Sequence, residues 1–274
     1  ALRERINLDP IIDIHVKDYL ALSDTNKRSM LGVKLNVPVM WRERPTPLDP
    51  RILGMWLGDG SKNRPVFTNE DKPLNDYFRN WCEEMGGEFT DWSDGLHHGI
   101  TGCNFTQILK NNNLYDDKHI PEEYIVNSPE TRLKLLAGIV DTDGSVEQDG
   151  KTLRITQCKS HEKIIQGLEK ICNSLGFRTS VAVKKTSWTD KSNKKGGEAL
   201  VLTVSGKLSR IPTLLPRKKL CDSSIDASVT AIEVVEDGIG DFCGFEVDGN
   251  NRFILGKDAT ITHNCNQTGR TVIG

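Results

Sequence analysis

Two segments of this 274-residue chain follow one pattern: an apolar run that stops at an acid, then Gly-Ser. Ile52-Leu53-Gly54-Met55-Trp56-Leu57-Gly58-Asp59-Gly60-Ser61 is echoed 84 positions later by Leu136-Ala137-Gly138-Ile139-Val140-Asp141-Thr142-Asp143-Gly144-Ser145. Each is followed by a strand-like piece, Val66 to Asn69 or Leu153 to Gln157. Each then has an amphipathic helix candidate, Leu74 to Met85 or Glu162 to Leu175, ending at Gly86-Gly87 or Gly176, where a helix needs a glycine cap. Two copies of one unit within a single chain predict two similar half-domains. Gly54, Gly58, Ala137 and Gly138 let two backbones approach closely. Packed side by side, the two helices bring Asp59 and Asp143 out together. Two adjacent carboxylates repel each other and are costly to bury, and a divalent cation relieves both penalties. Their hard oxygens suit Mg²⁺, and Asp59 and Asp143 are the expected metal ligands.

On these residues the chain resembles the LAGLIDADG homing endonucleases, whose motif helices form the interface between halves and whose last acid in each helix binds metal. Leu136 to Gly144 is a close match. Ile52 to Gly60 is a divergent one, with Gly58 taken to stand where the family has its earlier acid. The resemblance implies an α+β, pseudo-twofold fold of two αββαββα-like repeats over residues 46–220. It also implies a monomer that cuts double-stranded DNA with Mg²⁺. The family sets a lysine near each acid; Asp117-Lys118-His119-Ile120-Pro121 carries that role to Lys118. In the second repeat Pro216-Arg217-Lys218-Lys219 offers Lys218 or Lys219, with Lys218 preferred.

Bulk charge does not announce a nucleic-acid binder, with 36 Lys+Arg against 38 Asp+Glu. Its distribution does. From Arg178 to Lys219 eleven basic residues face only Asp190 and Glu198. Arg178, Lys184, Lys185, Lys191, Lys194, Lys195, Lys207 and Arg210 lie on or beside strand-like segments, where they can neutralise phosphates.

After Cys221 short strand-like runs dominate (Val229 to Val235, Phe242 to Val247, Arg252 to Leu255), followed by Ala259-Thr260-Ile261-Thr262-His263-Asn264-Cys265. An Asn amide can attack its own carbonyl and break the next peptide bond, with a neighbouring His as proton donor and a Cys thiol as acyl acceptor. His263, Asn264 and Cys265 look like the C-terminal junction of an intein. That implies a partial all-β Hedgehog/intein (Hint) splicing domain at residues 221–264, an N-side remnant and linker at 1–45, and flanking host sequence at 265–274. Asn251 stands where inteins often carry a His. The first nucleophile and the Thr-x-x-His block have no counterpart before Arg51, so an N-terminal intein fragment is an expected partner and splicing by this chain alone is not expected.

No apolar run reaches the length of a membrane span, and seven scattered cysteines form no CxxC pair. The chain reads as soluble and intracellular, nuclear in a eukaryotic host, and without a membrane partner. The rival reading is a LAGLIDADG protein whose cutting has decayed, or a maturase-like one, that keeps only DNA binding or splicing-domain structure.

Overall fold

The computed structural model describes residues 11–190, 193–235, 238, 246–247, 249–263 and 272–273, with backbone only at 188–190, 193–195 and 272–273. The chain divides into two compact units: Ala1–Val37 with Asp226–Gly274, and Pro38–Ile225. The second is inserted in the first. Among the described residues no helix is long and apolar enough to cross a membrane.

The outer unit opens with β1 (Ile14–His15), α1 (Val16–Leu20), α2 (Asp24–Arg28) and β2 (Gly32–Val33). The central unit follows with α3 (Pro50–Asp59), β3 (Val66–Thr68), α4 (Lys72–Glu84), β4 (Glu88–Asp91), β5 (His97–Thr101), α5 (Phe105–Asn111) and α6 (Glu122–Ile125). It continues through α7 (Pro129–Asp143), β6 (Gly144–Val146), β7 (Leu153–Cys158), α8 (Glu162–Ser174), β8 (Arg178–Asp190) and β9 (Asn193–Ser205). The outer unit ends with β10 (Val229–Thr230), β11 (Arg252–Leu255), β12 (Thr260–His263) and β13 (Val272–Ile273). Its sheets run β1-β13-β12-β11 and β10-β2. The run from Val229 to Val235 thus forms a strand only over its first two residues, and residues 242–245 lie outside the described ones.

The two halves of the central unit share a sheet order. The second half is β6-β7-β9-β8, and the first is β3-β5-β4 with Gly60 bridged to Phe67 in the place where β6 pairs with β7. Both motif helices start the same way. Asp49 accepts from the N–H groups of Arg51 and Ile52 ahead of Pro50, and Ser128 accepts from that of Thr131 ahead of Pro129. A side-chain cap followed by proline satisfies early N–H groups and presets the backbone. Pro50 is therefore the start of a helix. Gly86 and Gly176, at φ +73° and +79°, end α4 and α8 as their spacing implies. The first half packs aromatic rings, Phe78 lying 5.0 Å from Phe67 and 5.8 Å from Phe105. The second is aliphatic, with β7 alternating buried Leu153 and Ile155 against exposed Arg154 and Thr156.

Helices α3 and α7 meet at their glycines. A Cβ on Gly54 would lie 2.2 Å from the Leu135 carbonyl oxygen, and one on Gly138 would lie 2.4 Å from that of Arg51. Backbone cannot yield as a side chain tip can, so both positions exclude any larger residue. Gly54→Ala is expected to cost about 3 kcal/mol, since overpacking a rigid contact has that order of magnitude. Urea unfolding measures it; an unchanged midpoint would contradict this packing.

Candidate active site

The last residue of α3 is Asp59 and the last of α7 is Asp143. Close helix packing brings these ends together: a Cβ on Gly58 would lie 2.2 Å from the Thr142 hydroxyl oxygen and 3.3 Å from Asp143 Oδ2. Burial pushes the Asp59 carboxyl up to about 6; the Asn69 hydrogen bond opposes this and the Asp143 charge adds to it. Burial also raises Asp143, opposed by Gln157 and then by Lys118 and Lys218.

Each acid is gripped by an amide from its own half. Asn69 Nδ2 donates to Asp59 Oδ2 at 2.6 Å, and Gln157 Nε2 donates to Asp143 Oδ2 at 2.5 Å. Phe67 and Ile155 are the bridge partners of Gly60 and Gly144, so Asn69 and Gln157 each stand two residues past equivalent positions. Neither was singled out from sequence. The available signal was an amide side chain closing the same strand in both repeats.

The lysines cap the helix ends. Lys118 is 7% exposed, and its Nζ donates to the carbonyls of Trp56 (2.8 Å), Leu57 (3.0 Å) and Gly60 (2.6 Å). It also lies 4.7 Å above the centre of the Trp56 ring. Its three donors are committed to carbonyls at the negative end of α3, which makes it a fixed cation rather than a mobile arm. Burial lowers its pKa to about 8, against the pull of both acids. Lys218 donates to the Gly144 carbonyl, as Lys118 does to Gly60, whereas Lys219 is exposed.

The equivalence of the motifs corrects one sequence assignment. Counting back from the two terminal acids puts Leu57, not Gly58, opposite Asp141. Asp141 is buried away from the acid pair's role. It pairs with Arg51 Nη1 at 3.1 Å and accepts from the N–H of Leu214 (2.9 Å) and Leu215 (3.2 Å). This anchors the segment that leads to Lys218.

The basic strip follows a long hairpin, paired from Arg178–Ser205 to Asp190–Asn193. Arg178, Lys184, Lys185 and Lys207 are exposed. Arg210 instead turns inward, donating to the Leu175 carbonyl at 2.7 Å with its guanidinium 4.8 Å over the Phe177 ring. Lys191 lies outside the described residues, as do the side chains of Lys194 and Lys195. In the outer unit His263 ends β12, opposite Arg252 of β11; Asn264 and Cys265 lie outside the described residues.

A homing endonuclease family model matches residues 119–210, which include the second motif. Over those residues the central unit is similar to the homing endonucleases. Curated relatives include the replicative DNA helicase DnaB of Mycobacterium intracellulare, 26% identical over 53% of this chain and 22% of its own length. The V-type proton ATPase catalytic subunit of Candida tropicalis is 24% identical over 66% and 18%. The homothallic switching endonuclease of Saccharomyces cerevisiae is 24% identical over 77% and 42%. The chain thus spans less than half the length of each. Among solved structures, mesophilic variants of the homing endonuclease I-DmoI overlay with a TM-score of 0.41 at 14% identity, covering 58% of this chain and 83% of theirs.

The raised Asp59 pKa has a testable sign. A carboxyl whose folded pKa rises from 3.8 to about 6 costs the metal-free fold stability as pH climbs through that window, about 3 kcal/mol once it is complete. Asp59→Asn removes the cost, so at pH 7.5 with EDTA the variant is expected to melt higher than the parent and at pH 4 about equally. Equal melting at both pH values would show that Asp59 is not buried as described.

Proposed function

We propose that the chain is a site-specific endonuclease that cuts both strands of DNA, carried within an intein. The observation that bears most weight is the duplicated set at the helix ends: an acid, an amide on that acid, and a lysine on the carbonyl that follows it. Among the described residues no cluster of three or more His, Cys, Asp or Glu side chains is suited to hold a metal. Asp59 and Asp143 are only a pair, but they offer hard oxygens at a buried point where like charges need a counter-ion. That fits magnesium with waters and phosphate oxygens completing the shell. When bound, magnesium supplies charge stabilisation for in-line attack of water on a phosphodiester.

The chain's own groups do the positioning. Asn69 and Gln157 each tie one carboxylate oxygen, fixing the rotation of the other. Lys118 and Lys218 hold positive charge beside the phosphate as negative charge builds on it. Arg178, Lys184 and Lys185 lie on β8, which pairs with β9 in a hairpin of two 13-residue strands, about 40 Å long, more than one turn of duplex DNA. Both halves reside in one chain, which suits a monomer on an asymmetric target.

Magnesium-dependent cleavage of a plasmid library carrying random inserts tests this reading. Asp143→Asn is expected to abolish cutting, and Gln157→Ala to lower kcat about 10-fold or more with little change in binding. Full activity of Asp143→Asn rejects the assignment.

Two observations support an intein. The central unit interrupts the outer one. The same kind of segment also occurs as a minor share of proteins as unlike as a replicative helicase and a proton-pumping ATPase, which is expected of an inserted element. In this reading Asn264 attacks its own carbonyl through its side-chain nitrogen, forming a succinimide and releasing the peptide that begins at Cys265, with His263 donating the proton. Mass spectrometry of the incubated protein is expected to find that release, and Asn264→Ala to block it. An intact mass after prolonged incubation at several pH values would count against the splicing assignment.

A further inference from the structure

The residue before each site lysine makes an ion pair to the opposite half. Arg217 reaches Asp71 with two parallel bonds, Nη1 to Oδ1 and Nη2 to Oδ2, both 2.5 Å. Asp71 is 17% exposed and is the N-cap residue of α4, yet its side chain makes no cap bond there. Its backbone N–H donates to Asn69 Oδ1 at 2.7 Å, and Asn69 in turn grips Asp59. One line of contacts therefore runs from Lys218, at the Asp143 end, through Arg217, Asp71 and Asn69 to Asp59. The guanidinium holds the Asp71 carboxyl below its usual range, as a committed pair requires.

The other half repeats the device with the signs exchanged. Asp117, which precedes Lys118, accepts from Lys163 in the first turn of α8. Both acids lie in the first half and both bases in the second. If either half met a copy of itself, Asp71 would face Asp117 or Arg217 would face Lys163, like charges in both cases. Only the unlike combination present in this one chain satisfies both pairs.

Resting on the nuclease reading, we infer that Arg217–Asp71, with Asp117–Lys163 as its mirrored partner, is a positioning pair. It sets the amide on one acid and the lysine beside the other in a single geometry. Neither Arg217 nor Asp71 is assigned contact with the reacting atoms; they act through Lys218 and Asn69. A bidentate guanidinium–carboxylate pair suits this task because it fixes orientation as well as distance. Outer contacts of this kind change rate more than substrate binding.

The experiment uses the full chain and a target recovered from the random-insert library with magnesium. Arg217→Gln and Asp71→Asn are each expected to lower kcat about 10-fold while KM stays within about 2-fold and thermal melting is unchanged. The exchanged double variant, Asp71→Arg with Arg217→Asp, is expected to recover most of the lost kcat. If Arg217 merely contacts phosphate, Arg217→Gln raises KM alone, Asp71→Asn has no effect on kcat and the exchange rescues nothing; that pattern overturns the inference. A wild-type chain that binds DNA but cuts no library member takes down the nuclease reading and this inference together. Normal cutting with unimpaired single variants removes the inference alone.

Discussion

The backbone contact between α3 and α7 is the constraint on which the central unit depends. Gly54 and Gly138 let the helices approach until each glycine lies against the other's backbone. Everything at the site follows from that distance. With a side chain at either position the helices part, the ends holding Asp59 and Asp143 separate, and the two carboxylates become ordinary surface groups. Because both acids terminate helices, their own helix dipoles oppose their charge. Lys118 and Lys218, each donating to the carbonyl after its acid, offset that cost.

The site is thus built against its own electrostatics. Burial opposes both charges, and mutual repulsion adds to the penalty on Asp59. A fold holds such an arrangement only where surrounding groups fix it. Here the fixing groups come in matched sets: Asn69 with Gln157, Lys118 with Lys218, and the ion pairs Asp71–Arg217 and Asp117–Lys163 between the halves. Asp141 belongs to the same framework, since it ties Arg51 on α3 to the loop that delivers Lys218.

Much of this was legible in the residues because the chain writes its central design twice. The repeated Asp-Gly-Ser endings, the small residues on the helices and the glycine stops all carry local physical meaning, and the elements formed within a residue or two of the expected bounds at α4, α8 and β7. The outer unit was harder to read. Its strands are two to four residues long, and β1 and β2 pair with β13 and β10 from the far end of the chain, so local periodicity carries little of their register. At the site, sequence could name the acids but not who holds them. Asn69, Gln157, Asp71 and Arg217 are ordinary surface residue types whose roles come from tertiary contact. Arg210 illustrates the converse: a basic residue in a basic run whose guanidinium packs on Phe177 instead of facing solvent.

The central claim is that two helix-terminal carboxylates face one shared ionic position. Crystals of the chain grown with manganese, a redox-stable stand-in for magnesium, test it directly through anomalous scattering. Manganese is expected within about 2.2 Å of a carboxylate oxygen from both Asp59 and Asp143, with Asn69 and Gln157 still on the other oxygens. Manganese bound elsewhere, or the two carboxylates turned away from each other, would contradict it.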